Sequence, residues 1–293
     1  MKAILIGSAL SSIEIFKVLI SHKKITLDGV VTFNKKNIGD RFSLEKKASE
    51  NDIDCLTLNN NNEKKIYNFI KKKRPDLIFC VGWNYILSKK IYKLSTIMSL
   101  GFHPCPYPYG KGRSPIIWSI ILGVDFIYNI FFEISDKVDS GNIISKKKIY
   151  LSRNETSTSL YDKILKKITP QTKQLINSLN KGNFILEKQR NTNHYWRKRT
   201  IEDGRINFMM SFDCIMKLFK ALNFPYPGST IFFKNKDYKV NKIKKINNKE
   251  KKFSEPGKIL AISGKKVVVK CFDETIEISL KEKINGLKIG EYF

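Results

Sequence analysis

No apolar run of roughly eighteen residues occurs in the 293-residue chain, so no membrane-spanning helix and no membrane insertion are expected. Met1-Lys2 leads straight into an apolar stretch without a secretory cleavage pattern. Cysteine is sparse. Cys55, Cys80, Cys105, Cys214 and Cys271 are odd in number and scattered, without metal-ligand spacing. That pattern predicts free thiols, a reducing cytoplasmic setting and no metal site. Histidine is scarcer still, at three residues, so chemistry based on it has few places to sit. Arginine is also short, with only eight among 54 basic residues. The lysines spread along the whole chain beside abundant Asn and Ile. The net charge of +27 therefore reads as compositional drift more than as one nucleic-acid patch, although it suits attraction of a phosphate-bearing substrate. Repeats are absent, and runs such as Asn59 to Asn62 and Lys71 to Lys73 read as solvated surface. The first turn, Gly7-Ser8-Ala9-Leu10-Ser11-Ser12, lacks the glycine fingerprint of dinucleotide binding, which argues against a nicotinamide enzyme.

What is present centres on Leu100 to Gly123, LGFHPCPYPYGKGRSPIIWSIILG. His103 lies among Pro104, Pro106, Pro108 and Pro115, with Gly101, Gly110 and Gly112. The prolines fix φ and remove donors, so the segment is expected to be a stiff loop holding His103, neither helix nor central strand. Ser114-Pro115 marks the start of an apolar helix. A strand-like run, Ile127 to Ile134, leads to a second loop, Asp136-Lys137-Val138-Asp139-Ser140-Gly141-Asn142-Ile143. His103 and Asp139 are the two halves of a candidate acid–base pair. Read alone, each is a turn residue.

Taken in order, strands are predicted at Met1 to Gly7, Leu27 to Phe33, Ile53 to Leu58 and Asp76 to Val81. Helices are predicted at Ile13 to Ile20, Phe42 to Asn51 and Glu63 to Lys73. This alternation implies an α/β, Rossmann-like, doubly wound and mainly parallel sheet, with ligands beyond the carboxyl ends of its strands. A strand at Ile149 to Leu151 precedes a helix from Thr158 that passes Pro170 and ends near Leu179. After residue 205, a helix from Ser211 to Leu222 precedes strands at Glu255 to Leu260 and Val267 to Ile276, punctuated by Gly and Pro. They suggest a small OB-like β-barrel. The expected organisation is 1–188, a polar basic connector 189–205, and 206–293.

The two central loops resemble those of the folate-dependent formyltransferases, a family containing methionyl-tRNA formyltransferase and the nucleotide-sugar N-formyltransferases. His103, Pro108 and Gly112 match the family's Asn-x-His-x-Ser-Leu-Leu-Pro-x-x-x-Gly segment, and Asp139, Gly141 and Ile143 its Asp-x-Gly-x-Ile segment. Cys105 falls at that loop's small polar position, which argues against its being a nucleophile. Thr156, Leu160 and Lys163 fit a later helix motif. The segment Lys198-Arg199-Thr200-Ile201-Glu202-Asp203-Gly204 resembles the entry to the family's second domain, and Pro225-Tyr226-Pro227-Gly228 a turn within it. Gly101 departs, because the family carries Asn there.

The resemblance implies formyl transfer from 10-formyltetrahydrofolate, a co-substrate, to a primary amine, with no metal. It implies catalytic roles for His103 and Asp139, with Asp139 orienting the imidazole, and folate contacts at Gly82, Trp83, Lys137 and Val138. The family's Asn contacts the formyl oxygen, so at Gly101 another donor, Asn84 or a backbone N–H, is expected to substitute, the alternative being a loss of ordinary activity. Two acceptors compete. Methionyl-tRNA would suit the charge. A nucleotide-linked amino sugar is favoured by the first turn and by the Thr32 to Lys47 stretch, which lacks a Gly-Arg-Gly element. The Pro104-Cys105-Pro106-Tyr107-Pro108 loop favours it too. A reading from another class is a nucleic-acid-binding protein stacking bases on Phe232, Phe233 and Tyr238 of the barrel.

Overall fold

The structure is a computed structural model that describes residues 1–34, 43–247 and 253–293. The chain divides into two compact units. The first comprises Met1–Pro115, Phe126–Tyr150 and Tyr161–Trp196, the second Ile116–Asp125, Leu151–Leu160 and Arg197–Phe293. No helix among the described residues is long and apolar enough to cross a membrane.

The first half alternates as its apolar spacing predicts: β1 (Lys2–Gly7), α1 (Leu10–Ser21), β2 (Thr26–Phe33), α2 (Leu44–Ser49), β3 (Cys55–Leu58), α3 (Glu63–Lys73), β4 (Leu77–Val81) and α4 (Lys89–Tyr92). The predicted start of α2, Phe42, lies outside the described residues. Helix α1 begins earlier than expected, because Ser12 Oγ accepts the Ala9 N–H and donates to Val81 O, fastening the first turn to β4. Then come β5 (Met98–Cys105), β6 (Lys111–Gly112), α5 (Pro115–Leu122), β7 (Phe126–Glu133), β8 (Ile143–Tyr150), α6 (Ser157–Asn180) and β9 (Tyr195–Trp196). Pro115 opens α5 and Pro170 lies inside α6, both as expected.

The main sheet has the order β3-β2-β1-β4-β5-β7-β8. Its first five strands are parallel, while β7 and β8 run antiparallel. Parallel strands need both faces covered, and each face has its own core. Phe16, Leu19, Phe79, Leu100 and Ile176 belong to one, and Ile4, Ile6, Ile66, Ile70 and Ile78 to the other. Strand order reverses between β1 and β4, so a binding crevice is expected at the carboxyl ends of the central strands.

Two expectations fail here. Leu100 to Cys105 is an internal strand rather than a loop. Its pairing with β4 stops at Phe102, so Pro104 owes no N–H on that side. Strand β8 starts at Ile143, well before the predicted Ile149. Lys146 to Lys148 lie on this edge strand, where lysines discourage further pairing.

In the second unit α7 (Phe212–Ala221) is capped by Ser211, whose hydroxyl accepts the Cys214 N–H. Strands β10 (Thr230–Phe233), β11 (Lys236–Ile246), β12 (Ile259–Ser263), β13 (Lys266–Lys270) and β14 (Thr275–Leu280) form an antiparallel half-barrel in the order β10-β11-β14-β13-β12. Register shifts bend β11 between Val240 and Lys242, and β12 between Ile259 and Ala261. The predicted strand Val267 to Ile276 is two strands, split by a turn in which the Cys271 N–H donates to Glu274 O at 2.8 Å. Phe233 packs edge-on against Phe293, and the Arg205 guanidinium covers Phe232 at 3.9 Å while pairing with Asp237.

Candidate active site

Strand β5 carries His103 past the carboxyl end of β4. Side chains alternate across a strand, so Gly101, His103 and Cys105 share one face. His103 is 8 % exposed. Its Nε2 lies 2.9 Å from the Gly110 carbonyl oxygen. A carbonyl only accepts, so Nε2 carries its proton and the neutral ring's lone pair sits on Nδ1. Nδ1 faces Asp139 Oδ2 at 3.6 Å, just beyond hydrogen-bond length. The tautomer is therefore set by the carbonyl of Gly110, read from sequence only as a loop glycine, rather than by Asp139. On Nδ1 a captured proton would convert a lone pair facing a carboxylate into an ion pair.

Asp139 sits in the turn between β7 and β8 and has φ of 48°. A non-glycine residue in the left-handed region is uncommon, and such outliers gather at functional sites. The turn is held on two sides. A Cβ at Gly141 would lie 1.7 Å from Glu133 O, so only glycine fits against β7. On the other side the Gly112 N–H donates to Asp139 Oδ2 at 2.9 Å. The glycine of the His segment thus holds the aspartate of the second segment by its backbone.

A third segment fastens both. Ile143 and Glu187 exchange two backbone hydrogen bonds of 2.8 Å. Gln189 Nε2 donates to Gly141 O, the Arg190 N–H to Tyr107 Oη and Thr192 Oγ1 to Pro108 O. The Gly110 N–H donates to His194 Nδ1 at 3.4 Å. Strand β9 pairs with β6, and the Arg113 N–H donates to Trp196 O. Residues read from sequence as a polar connector therefore strap the His segment to the Asp turn. Nothing in their polar, basic composition signalled this. The one legible sign was a pair of glycines at 110 and 112, both at positive φ and both too close to Trp196 for a Cβ.

Gly82 and Trp83 stand just past the end of β4, beside the His103-bearing strand. Gly82 has φ of 61°, and a Cβ there would lie 2.3 Å from that of Ala9. Trp83 stacks on Phe33 at 4.2 Å, while its buried Nε1–H has no partner among the described residues. Lys137 and Val138 form the exposed limb of the Asp139 turn. The fold brings His103 and Asp139 together. None of Gly82, Trp83, Lys137 and Val138 makes a hydrogen bond or ion pair with either of them among the described residues.

Gly101 lies in the ladder between β4 and β7, where its main-chain groups point along the sheet. A Cβ at 101 would fall 2.4 Å from the Phe132 ring. The aromatic ring thus occupies the room that an asparagine would take. Asn84 is exposed, and its main-chain carbonyl accepts from Arg113 Nη1. Burial pushes the Cys80 thiol up to about 12 and that of Cys105 well above the ordinary thiol range, with Asp139 adding to both. Burial thus disfavours the thiolate at both positions, which weighs against the nucleophile reading of Cys105.

Two family models match the chain: "Formyl transferase" over residues 4–175 and "Formyl transferase, C-terminal domain" over residues 198–289. The methionyl-tRNA formyltransferase of Clostridium beijerinckii is 27 % identical over 225 residues, which is 76 % of this chain and 72 % of that protein. The bifunctional polymyxin resistance protein ArnA of Wigglesworthia glossinidia brevipalpis is 29 % identical over 243 residues, 80 % of this chain but only 36 % of that longer protein. Among solved structures, WlaRD, a sugar 3N-formyl transferase crystallised in the presence of dTDP and 5-N-formyl-THF, superposes with a TM-score of 0.68. The superposition covers 97 % of this chain and 99 % of WlaRD at 20 % identity, a likeness of fold.

Proposed function

Because the chain belongs to the formyl transferase family, we propose that it transfers a formyl group from 10-formyltetrahydrofolate to the primary amine of a nucleotide-linked amino sugar. The observation that carries this reading is His103 facing Asp139 across 3.6 Å at the carboxyl end of the sheet. The folate supplies an activated formyl group. Transfer joins the acceptor nitrogen to the formyl carbon, moves the carbonyl pair onto oxygen, and on its return breaks the bond to the donor nitrogen. One proton leaves the acceptor nitrogen and one reaches the donor nitrogen. His103 Nδ1 takes the first, and Asp139 stabilises the imidazolium that results. The strap keeps both residues in register, so little reorganisation accompanies the step.

Gly82, Trp83, Lys137 and Val138 are the residues we assign to the folate. The Nε1–H of Trp83, without a partner among the described residues, is a buried donor suited to a ring nitrogen or carbonyl, and Gly82 lets the backbone approach closely. The sugar amine is favoured by the Gly7-Ser8-Ala9 turn, by the proline-rich His segment, and by the near-complete superposition on WlaRD. Methionyl-tRNA is the second reading, favoured by the +27 charge and by the clostridial relative. Base stacking on the half-barrel is disfavoured, since Phe232 and Phe233 are engaged by Arg205 and Phe293.

Tetrahydrofolate release, with nucleotide-linked amino sugars and methionyl-tRNA offered in parallel, tests the proposal. Turnover with a sugar that Asp139→Asn abolishes is the expected result. Turnover with the tRNA alone would overturn the acceptor, and silence with every amine would overturn the reaction.

A further inference from the structure

Addition to a formyl carbonyl places negative charge on its oxygen, and an enzyme meets that charge with a fixed donor or cation. Gly101 has no side chain, and His103 Nε2 is already spent on Gly110 O. Among the described residues of the first unit, one cation is buried. Lys111 is 3 % exposed. It stands on β6, between Gly110, which orients His103, and Gly112, which holds Asp139.

The surroundings of Lys111 are unusual for an ammonium. Its Nζ has three N–H donors and, among the described residues, one hydrogen-bond partner, the Ser140 hydroxyl at 3.1 Å. No carboxylate lies within ion-pairing distance among the described residues. A buried cation left so poorly paired is costly in the resting protein. Its field reaches the site face: Cys105, two residues beyond His103, feels Lys111 and Asp139 in opposite senses. Ser140 is itself anchored elsewhere, with its hydroxyl 2.9 Å from Val138 O and 3.1 Å from Tyr195 Oη. Lys111 is therefore not needed merely to keep that hydroxyl satisfied.

We propose that Lys111 is a positioning and electrostatic residue for formyl transfer. Through Ser140 it fixes the Asp139 turn, and it holds a positive charge beside the His103–Asp139 pair in place of the donor that Gly101 cannot supply. The proposal rests on the formyl-transfer reading. It explains why an under-paired ammonium is retained. Its cost in the resting state is recovered when negative charge develops beside it.

The test compares Lys111→Met, Lys111→Arg and Ser140→Ala. It measures kcat and KM for 10-formyltetrahydrofolate, thermal stability, and calorimetric binding of 5-formyltetrahydrofolate. Methionine keeps lysine's unbranched shape, one atom shorter, without its charge. Replacing an unpaired buried charge by an apolar group of similar volume is neutral or stabilising. Lys111→Met is therefore expected to keep or raise the melting temperature, bind 5-formyltetrahydrofolate within about threefold of wild type, and lose about 100-fold in kcat. Lys111→Arg should recover to within about tenfold of wild type, and Ser140→Ala should lose no more than about fivefold. A Lys111→Met protein that keeps kcat within about threefold overturns the inference alone. So does a fall in stability shared equally by the Met and Arg variants, which would mark a space-filling role. A wild-type protein that neither binds 5-formyltetrahydrofolate nor turns over overturns the formyl-transfer reading, and the inference with it, before any variant is compared.

Discussion

Two glycines of the site, Gly141 in the Asp139 turn and Gly101 in β5, lack room for a side chain for different reasons. At Gly141 the obstruction is main chain, the Glu133 carbonyl oxygen 1.7 Å from where a Cβ would stand. At Gly101 it is the tip of a side chain, the Phe132 ring at 2.4 Å. A backbone obstruction cannot be relieved without parting β7 from the turn, whereas a ring is removable. The first constraint belongs to the architecture and accompanies a matched motif. The second is a local exchange, a ring for a polar side chain, and it accompanies a departure from the His segment's pattern, which also differs at Cys105, Pro106 and Tyr107. Motif positions set by main-chain contacts are thus the ones a sequence can be trusted to reveal.

The largest effect is expected at Gly141. Gly141→Ala drives a methyl group into a carbonyl, and the turn carrying Asp139 must leave β7. Formyl transfer should fall by at least about 10³-fold, with a loss of roughly 3 kcal/mol in urea unfolding. If the alanine variant kept most of its activity, the turn would have another way to seat Asp139, and the contrast between the two glycines would collapse.

Gly101 should behave otherwise. Gly101→Asn alone overpacks against Phe132 and is expected to cost about 1–3 kcal/mol. Phe132→Ala alone opens a cavity beside Ile130, Ile143 and Cys105, and should cost about 3–5 kcal/mol. Combined, the asparagine fills the space that the ring vacates. The pair should be less destabilised than the sum of the singles by at least about 1 kcal/mol, measured as a double-mutant cycle. The restored amide should also raise kcat above that of Phe132→Ala by about tenfold or more. Strict additivity with no gain in rate would mean that Phe132 is not standing in the place of a side-chain donor.

The same division between main-chain and side-chain constraint decides how much was legible beforehand. Strands β1 and β4 and helix α3 follow from continuous apolar runs or 3.6-residue spacing, and those patterns hold because burial in a parallel sheet enforces them. His103 and Asp139 were legible because glycines and prolines around them mark backbone geometry. What escaped were contacts that depend on tertiary proximity. Gly110 O setting the imidazole tautomer joins groups seven residues apart through a turn whose path no local rule gives. The strap joins Thr192 to Pro108 across 84 positions, and its composition resembles an ordinary surface linker. The strand identity of Leu100 to Cys105 was hidden by Pro104, which pairs only where β4 has already ended.

A strap contact gives a smaller effect, with the same logic. Thr192 Oγ1 donates to Pro108 O at 2.7 Å. Thr192→Val deletes one neutral hydrogen bond to the His segment, worth about 1 kcal/mol. Activity should drop only a few-fold, because Gln189, Arg190 and Trp196 still fasten the two segments. A loss approaching that of Gly141→Ala would show that the strap, rather than the β7 contact, seats Asp139.

The smallest effect is expected where both partners are side chains and one is exposed. At the entry to the second unit, Asp203 accepts from Arg197 Nη1 at 2.6 Å and from the Thr200 N–H at 2.7 Å. The Arg197 side chain is 61 % exposed, so water screens the pair. The Arg197 guanidinium, foremost, and the Thr200 N–H hold the Asp203 carboxyl at about 2, below its ordinary value of 3.8. A depressed carboxylate stabilises the fold at pH values above its unfolded pKa, and that contribution fades as pH falls through the folded value. Asp203→Asn should therefore lower stability slightly at pH 7. The two stability curves should converge between about pH 4 and pH 2, with formyl transfer at neutral pH unchanged. Curves that stay parallel down to pH 2 would mean that the carboxylate contributes no pH-dependent stability there, and that the backbone geometry of residues 200–203 is what the aspartate serves.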